Sequence, residues 1–151
     1  MILLAGLLLL LTHAATEVRY FPSILYGHIL VGSGMSRYDT TFTATAKKDT
    51  RVSIALFTDK GEPMKANFMD ERGNIAKTGA TFEFLLTGER PLKIKLQLTS
   101  EDSKDTVVVR TGWATFHSTE TIDVNAIVRI TTPDGKLITR HLLASEKPPI
   151  G

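Results

Sequence analysis

From Ile122 to Ile130 the apolar residues fall on every second position (Ile122, Val124, Ala126, Val128, Ile130), while Asp123, Asn125 and Arg129 take the alternate places. Successive side chains of a strand point to opposite faces, so this spacing predicts a strand with one face in a core and one in water. Only Ile127 departs from it. The run before it, Val107 to Phe116, is built of Val, Thr, Trp and Phe, types that fit a pleated, half-buried surface. Residues 117–121 suffice to turn the chain back, which predicts an antiparallel pair around Trp113, the only tryptophan. Within the first run Val107, Val109, Thr111 and Trp113 share one face and Ala114 and Phe116 the other, so no single phase buries all the large apolar groups. A β-bulge at Thr111-Gly112-Trp113 would reconcile them and leave Trp113 half exposed at a bend.

The same period recurs along the chain. Val18 to Pro22 predicts a short edge strand ended by proline, and a loop-rich segment holds Gly27, Gly32 and Gly34. Tyr38, Thr40, Phe42 and Ala44 alternate with Asp39, Thr41 and Thr43; Val52, Ile54 and Leu56 alternate with Ser53 and Ala55 before the turn Asp59-Lys60-Gly61. Thr81 to Leu86 and Leu137 to Leu143 predict strands, and Leu92, Ile94, Leu96 and Leu98 alternate with Lys93, Lys95 and Gln97. Residues 63–72 stay open between a strand and a two-turn helix: Pro63, the Met64/Phe68 spacing and Gly73 suit the helix, the neighbouring strands oppose it. Strands punctuated this often by Gly, Pro and Asp predict an all-β domain. The expected form is an antiparallel two-sheet β-sandwich, immunoglobulin-like or jelly-roll-like, over residues 16–147, with a disordered tail at 148–151.

Length and composition exclude several classes. A chain of 151 residues buries about two-thirds of its unfolded surface as one domain. Cysteine is absent, which removes disulfides, thiolate metal sites and a cysteine nucleophile. Net charge is +2, with basic residues scattered and no cluster beyond Lys47-Lys48, so no nucleic-acid partner is expected. Ile2 to Leu11 form an apolar run of signal-peptide length followed by Thr12-His13-Ala14-Ala15, which predicts a signal peptide over residues 1–15 and a secreted, periplasmic or cell-surface location. No Lys or Arg precedes that run, so retention of the segment as a short membrane anchor is the alternative, and the sole membrane contact foreseen.

Tyr20-Phe21-Pro22, Tyr38-x-Thr40-x-Phe42, Val52-x-Ile54-x-Leu56-Phe57 with Asp59-x-Gly61-x-Pro63, Thr111-Gly112-Trp113-Ala114 and Ala126-Ile127-Val128-Arg129 stand in order between residues 18 and 145. In these motifs the chain resembles bacterial secreted β-sandwich modules that occur alone, in tandem or as C-terminal appendages. It departs from them at Ala46-Lys47-Lys48, where such modules often carry Asn. The resemblance implies a fold and a compartment, with no reaction attached.

Catalytic chemistry finds little support. His28, His117 and His141 stand isolated, without a metal-ligand pair at local spacing. Ser33 in Gly32-Ser33-Gly34 lacks a nucleophile-elbow pattern, and the same glycines lack the third Gly of a phosphate cradle. Asp70-Glu71 and Glu101-Asp102-x-x-Asp105 lack the ligand spacing of a calcium loop. No cofactor and no metal are therefore expected. Exposed aromatics carry the remaining signal: Tyr20, Tyr26 and Trp113 are the candidate binding surface for a protein or glycan, since such side chains combine contact area with a polar tip. The expected function is a non-catalytic structural or binding module. Two alternatives are a hydrolase using scattered carboxylates with His117 or His141, and a purely architectural spacer.

Overall fold

The computed structural model describes residues 17–104 and 107–148. Ten strands follow one another: β1 (Glu17–Val31), β2 (Gly34–Ala46), β3 (Thr50–Thr58), β4 (Ala66–Met69), β5 (Ile75–Gly79), β6 (Thr81–Leu86), β7 (Leu92–Gln97), β8 (Val107–Ser118), β9 (Ile122–Thr131) and β10 (Leu137–Leu142). All belong to one hydrogen-bonded sheet, with eight strands in the order β5-β4-β7-β2-β1-β8-β3-β6 and β9 pairing both β2 and β10.

The expected two-sheet sandwich, immunoglobulin-like or jelly-roll-like, does not form; the single sheet nearly closes into a barrel. One-sided alternation tells each strand which face is dry, and a sandwich and a barrel satisfy it equally. Backbone continuity decides between them. The two ends of the eight-strand path, β5 and β6, are consecutive in the chain and separated only by Ala80, with Gly79 at φ +156. Leu56 N–H donates to the Ala80 carbonyl at 2.9 Å and Met64 N–H to the Leu56 carbonyl at 2.9 Å, so the seam is held at the end of β3. On the other side, Tyr20 and Ser145 exchange backbone hydrogen bonds of 2.8 and 2.7 Å.

Between β1 and β2 the sheet forks. Their ladder runs from Val31↔Gly34 to Gly27↔Tyr38 and stops. From Thr40 to Ala44, β2 instead pairs β7, which takes the edge that β1 has left. At the fork the fully buried Thr40 puts its hydroxyl where a ladder bond would continue: Oγ1 accepts from Leu25 N–H at 3.0 Å and donates to the Leu25 carbonyl at 2.7 Å. One side chain thereby satisfies two backbone groups that the diverging strands would leave unpaired.

Between the two halves of the sheet lies the core. Phe21, Phe42 and Phe116 meet edge to face with centroids 5.7, 5.5 and 4.9 Å apart, the geometry that the ring quadrupole favours. Ile24, Ile54, Leu56, Phe68 and Leu96 fill around them, all fully buried. The open segment resolves as strand: β4 lies between β5 and β7, while Asp70 Oδ1 accepts from Arg72 N–H and Asn74 N–H to form a turn whose Gly73 has φ +82. Gly73 closes a turn between strands, where it could equally have stopped a helix.

The bulge sits on the other strand from the one expected. β8 runs in unbroken register with β3 through Leu56↔Ala114, Phe57↔Trp113 and Thr58↔Gly112. Against β1 the register jumps from Phe21↔Ala114 to Ile24↔Gly112, leaving Pro22 and Ser23 opposite Trp113. Proline has no N–H to give the ladder, and Ser23 adopts φ +67, so the extra residue is accommodated there. Pro22 therefore marks a bulge inside a long strand rather than the end of a short one.

Residues 1–16 lie outside the described residues, as do Asp105, Thr106 and residues 149–151. Among the described residues no helix is long and apolar enough to cross a membrane. The signal peptide expected over residues 1–15, and the short membrane anchor that was its alternative, fall outside the described residues, so the structure gives the expected membrane contact no support.

Candidate binding face

Directly opposed residues of neighbouring strands share a face, so the ladder registers assemble the outer surface of β1, β8, β3 and β6 row by row. Trp113 opposes Phe57; below them Tyr20, Thr115, Ala55 and Thr81 line up; below those come Val18, His117, Ser53 and Glu83; Arg51 and Leu85 follow. The upper rows are aromatic. Trp113 stacks on Phe57 at 4.3 Å and 21°, and the Tyr20 ring lies 6.2 Å from it at 47°. All three rings are half-buried and lie outside the core.

The lower rows mix polar side chains with Val18 and Leu85. His117, Ser53, Glu83 and Arg51 line a surface groove of about 490 Å³ together with Phe84 and Leu85. His117, Glu83 and Arg51 are exposed there and Ser53 is half-buried. At the junction between aromatic and polar rows, Trp113 Nε1 and Thr115 Oγ1 are buried without a hydrogen-bond partner among the described residues, and Thr115 is only 4% exposed. Buried polar atoms without partners are rare in folded chains.

Of the three aromatics singled out in the sequence, the structure brings Tyr20 and Trp113 together and sends Tyr26 elsewhere. Tyr26 is fully buried, and its hydroxyl donates to the Lys65 carbonyl at 2.7 Å. The parity change at Pro22-Ser23 accounts for this, because it puts Ile24 and Tyr26 on the inner face with Phe21. Burial pushes the Tyr26 phenol well above its ordinary pKa; the Arg110 charge opposes the rise and the Asp102 charge adds to it. A folded pKa above the unfolded value near ~10 means the unfolded chain gives up this proton first. Stability present below that pH is therefore lost as pH rises through it. Tyr26→Phe is expected to cost about 1 kcal/mol at neutral pH by losing the hydrogen bond, and to flatten the alkaline loss. Denaturant unfolding at neutral pH and above about pH 10 checks both.

Phe57, Ser53, Glu83 and Arg51 were not legible as site residues, since only the pairing of β3 with β8 and β6 places them beside Trp113. The other sequence candidates disperse. His28, His117 and His141 stand on β1, β8 and β10. Asp70 is engaged in its turn, Glu71 accepts from Lys93 N–H at 3.3 Å, and Asp102 pairs with Arg110 at 2.9 Å. Ser33 lies exposed in the turn of the β1–β2 hairpin. Among the described residues no group of three His, Asp or Glu side chains could hold a metal ion. The domain is thus all-β, without cysteine in its sequence and without such a cluster among the described residues.

No family model, no curated protein and no solved structure matches the chain, so the resemblance to secreted modules rests on its short motifs alone.

Proposed function

We propose that this domain is a non-catalytic binding module that takes a glycan chain on the outer face of β1, β8, β3 and β6. The observation that carries the proposal is the adjacency, on one face, of the Tyr20–Trp113–Phe57 cluster and the groove lined by Ser53, Glu83, His117 and Arg51. A sugar ring has an apolar face that stacks on an aromatic side chain and a rim of hydroxyls that need donors and acceptors. Both are within one surface here. An exported location belongs to the same proposal, supported by the apolar run Ile2–Leu11 followed by Thr12-His13-Ala14-Ala15.

Because Trp113 is the only tryptophan, its fluorescence reports on this face without labelling. Titration of the full chain with β-linked glucose and N-acetylglucosamine oligosaccharides is expected to shift or quench that emission. Trp113→Leu should weaken retention on the immobilised glycan by about tenfold, the scale of a lost stacking contact, with the circular dichroism spectrum unchanged. An emission indifferent to every oligosaccharide, or a variant that binds as well as the parent, would sink the proposal. Hydrolysis of the oligosaccharides would favour the hydrolase alternative instead.

A further inference from the structure

β10 has one edge on β9 and, among the described residues, no strand on the other. Its residues Leu137 to His141 are all exposed, on both faces of the strand. Leu137 is 60% exposed, Ile138 51%, and Leu143, just beyond the strand, 84%. A strand edge of this kind presents a row of backbone donors and acceptors that another extended strand satisfies best. Apolar residues on both faces are what a buried strand carries.

Which strand fits can be read from the edge itself. Two copies of β10 placed antiparallel about a two-fold axis at Thr139 set Leu137 against His141 of the second copy, and Ile138 against Arg140 of the second copy. Thr139 then meets its own counterpart. In this register no two like charges are opposed and the whole exposed length of the strand is used. Each Ile138 gains the aliphatic stem of an arginine, whose charged end reaches water. Moving the axis to Arg140 would oppose two guanidinium groups, which like-charge repulsion disfavours. Of the two strands at the ends of the eight-strand path, β5 and β6, β5 is guarded against the same pairing, because an axis at its midpoint opposes Lys77 to Lys77.

We infer that the free edge of β10 is a homodimer interface, joining the sheets of two copies antiparallel about Thr139. The face that carries Trp113 belongs to other strands, so this inference stands apart from glycan binding.

Sedimentation of the full chain over a range of concentrations tests it. The parent chain is expected at twice the monomer mass. Thr139→Asp and Thr139→Lys each oppose two like charges at the axis, and each alone should sediment as a monomer with an unchanged circular dichroism spectrum. Mixing the two variants in equal amounts opposes Asp to Lys and should restore the dimer. A parent chain that stays monomeric at every concentration overturns the inference and leaves the edge to a different chain. A dimer that survives Thr139→Asp, or monomers that fail to recombine on mixing, overturns it as well.

Discussion

Gly27→Ala should be among the most destabilising single substitutions in this chain, lowering the thermal midpoint by many degrees. Gly27 has φ +137, where side chains with a Cβ are rarely found, and an added Cβ would lie 2.0 Å from the Val108 carbonyl oxygen. Relief requires β1 to move away from β8. But Gly27 pairs at once with Val109 of β8 and with Tyr38 of β2, at the last rung before the sheet forks. Backbone strain and overpacking each cost about 1–3 kcal/mol where measured. Their sum, about 2–6 kcal/mol, takes away a large part of the ~5–15 kcal/mol that holds a domain together. Thermal unfolding followed by circular dichroism is the check, and a midpoint within a few degrees of the parent would contradict the backbone path described.

The second large effect is expected at Thr40. Thr40→Val keeps the shape and removes the hydroxyl, leaving the Leu25 N–H and carbonyl without the partner each now has. A buried polar group left unsatisfied costs about 1–3 kcal/mol, so the pair should cost about 2–5 kcal/mol. Thr40→Ser retains the hydroxyl and should cost only about 1 kcal/mol, the worth of one buried methyl. Denaturant midpoints of the two variants separate the roles of hydroxyl and methyl. If Val and Ser prove equally destabilising, the hydroxyl is not what holds the fork.

How far the fold could be read from residues alone follows from which physical signals are local. Leu92–Gln97 and Ile122–Thr131 announce themselves as strands because burial of one face imposes a period of two on their own side chains. Pairing leaves no such trace. Nothing between Ser53 and Phe57 says that they lie beside His117 and Trp113, and nothing in Thr40 says that its hydroxyl replaces a rung of ladder. Near-closure of the sheet was likewise hidden, since it depends on how the backbone passes Gly79 and Ala80 rather than on which faces are apolar.

At the site, Trp113 was legible as a half-exposed aromatic, though through a bulge assigned to its own strand. The bulge belongs to β1, and counting two by two from Tyr20 without it places Tyr26 on the outer face. Each single-residue slip reverses every side chain that follows it. Pro22-Ser23 carried the signal: a residue with no N–H, in a strand whose alternation changes phase immediately after it.

β8 lies between β1 and β3, and every rung of those two ladders waits for it. In the order of synthesis it comes after all of β1 to β7. A growing chain therefore exposes both long strands, with their edges open, until Val107–Ser118 has been made. Assembly cannot proceed vectorially from the N-terminus, and topologies with such distant pairings fold on the slow, millisecond-to-second side of the known range. Open strand edges during that interval are sites for pairing with the wrong chain. A chain that stops short of Val107 should accumulate as aggregate rather than as a smaller folded domain.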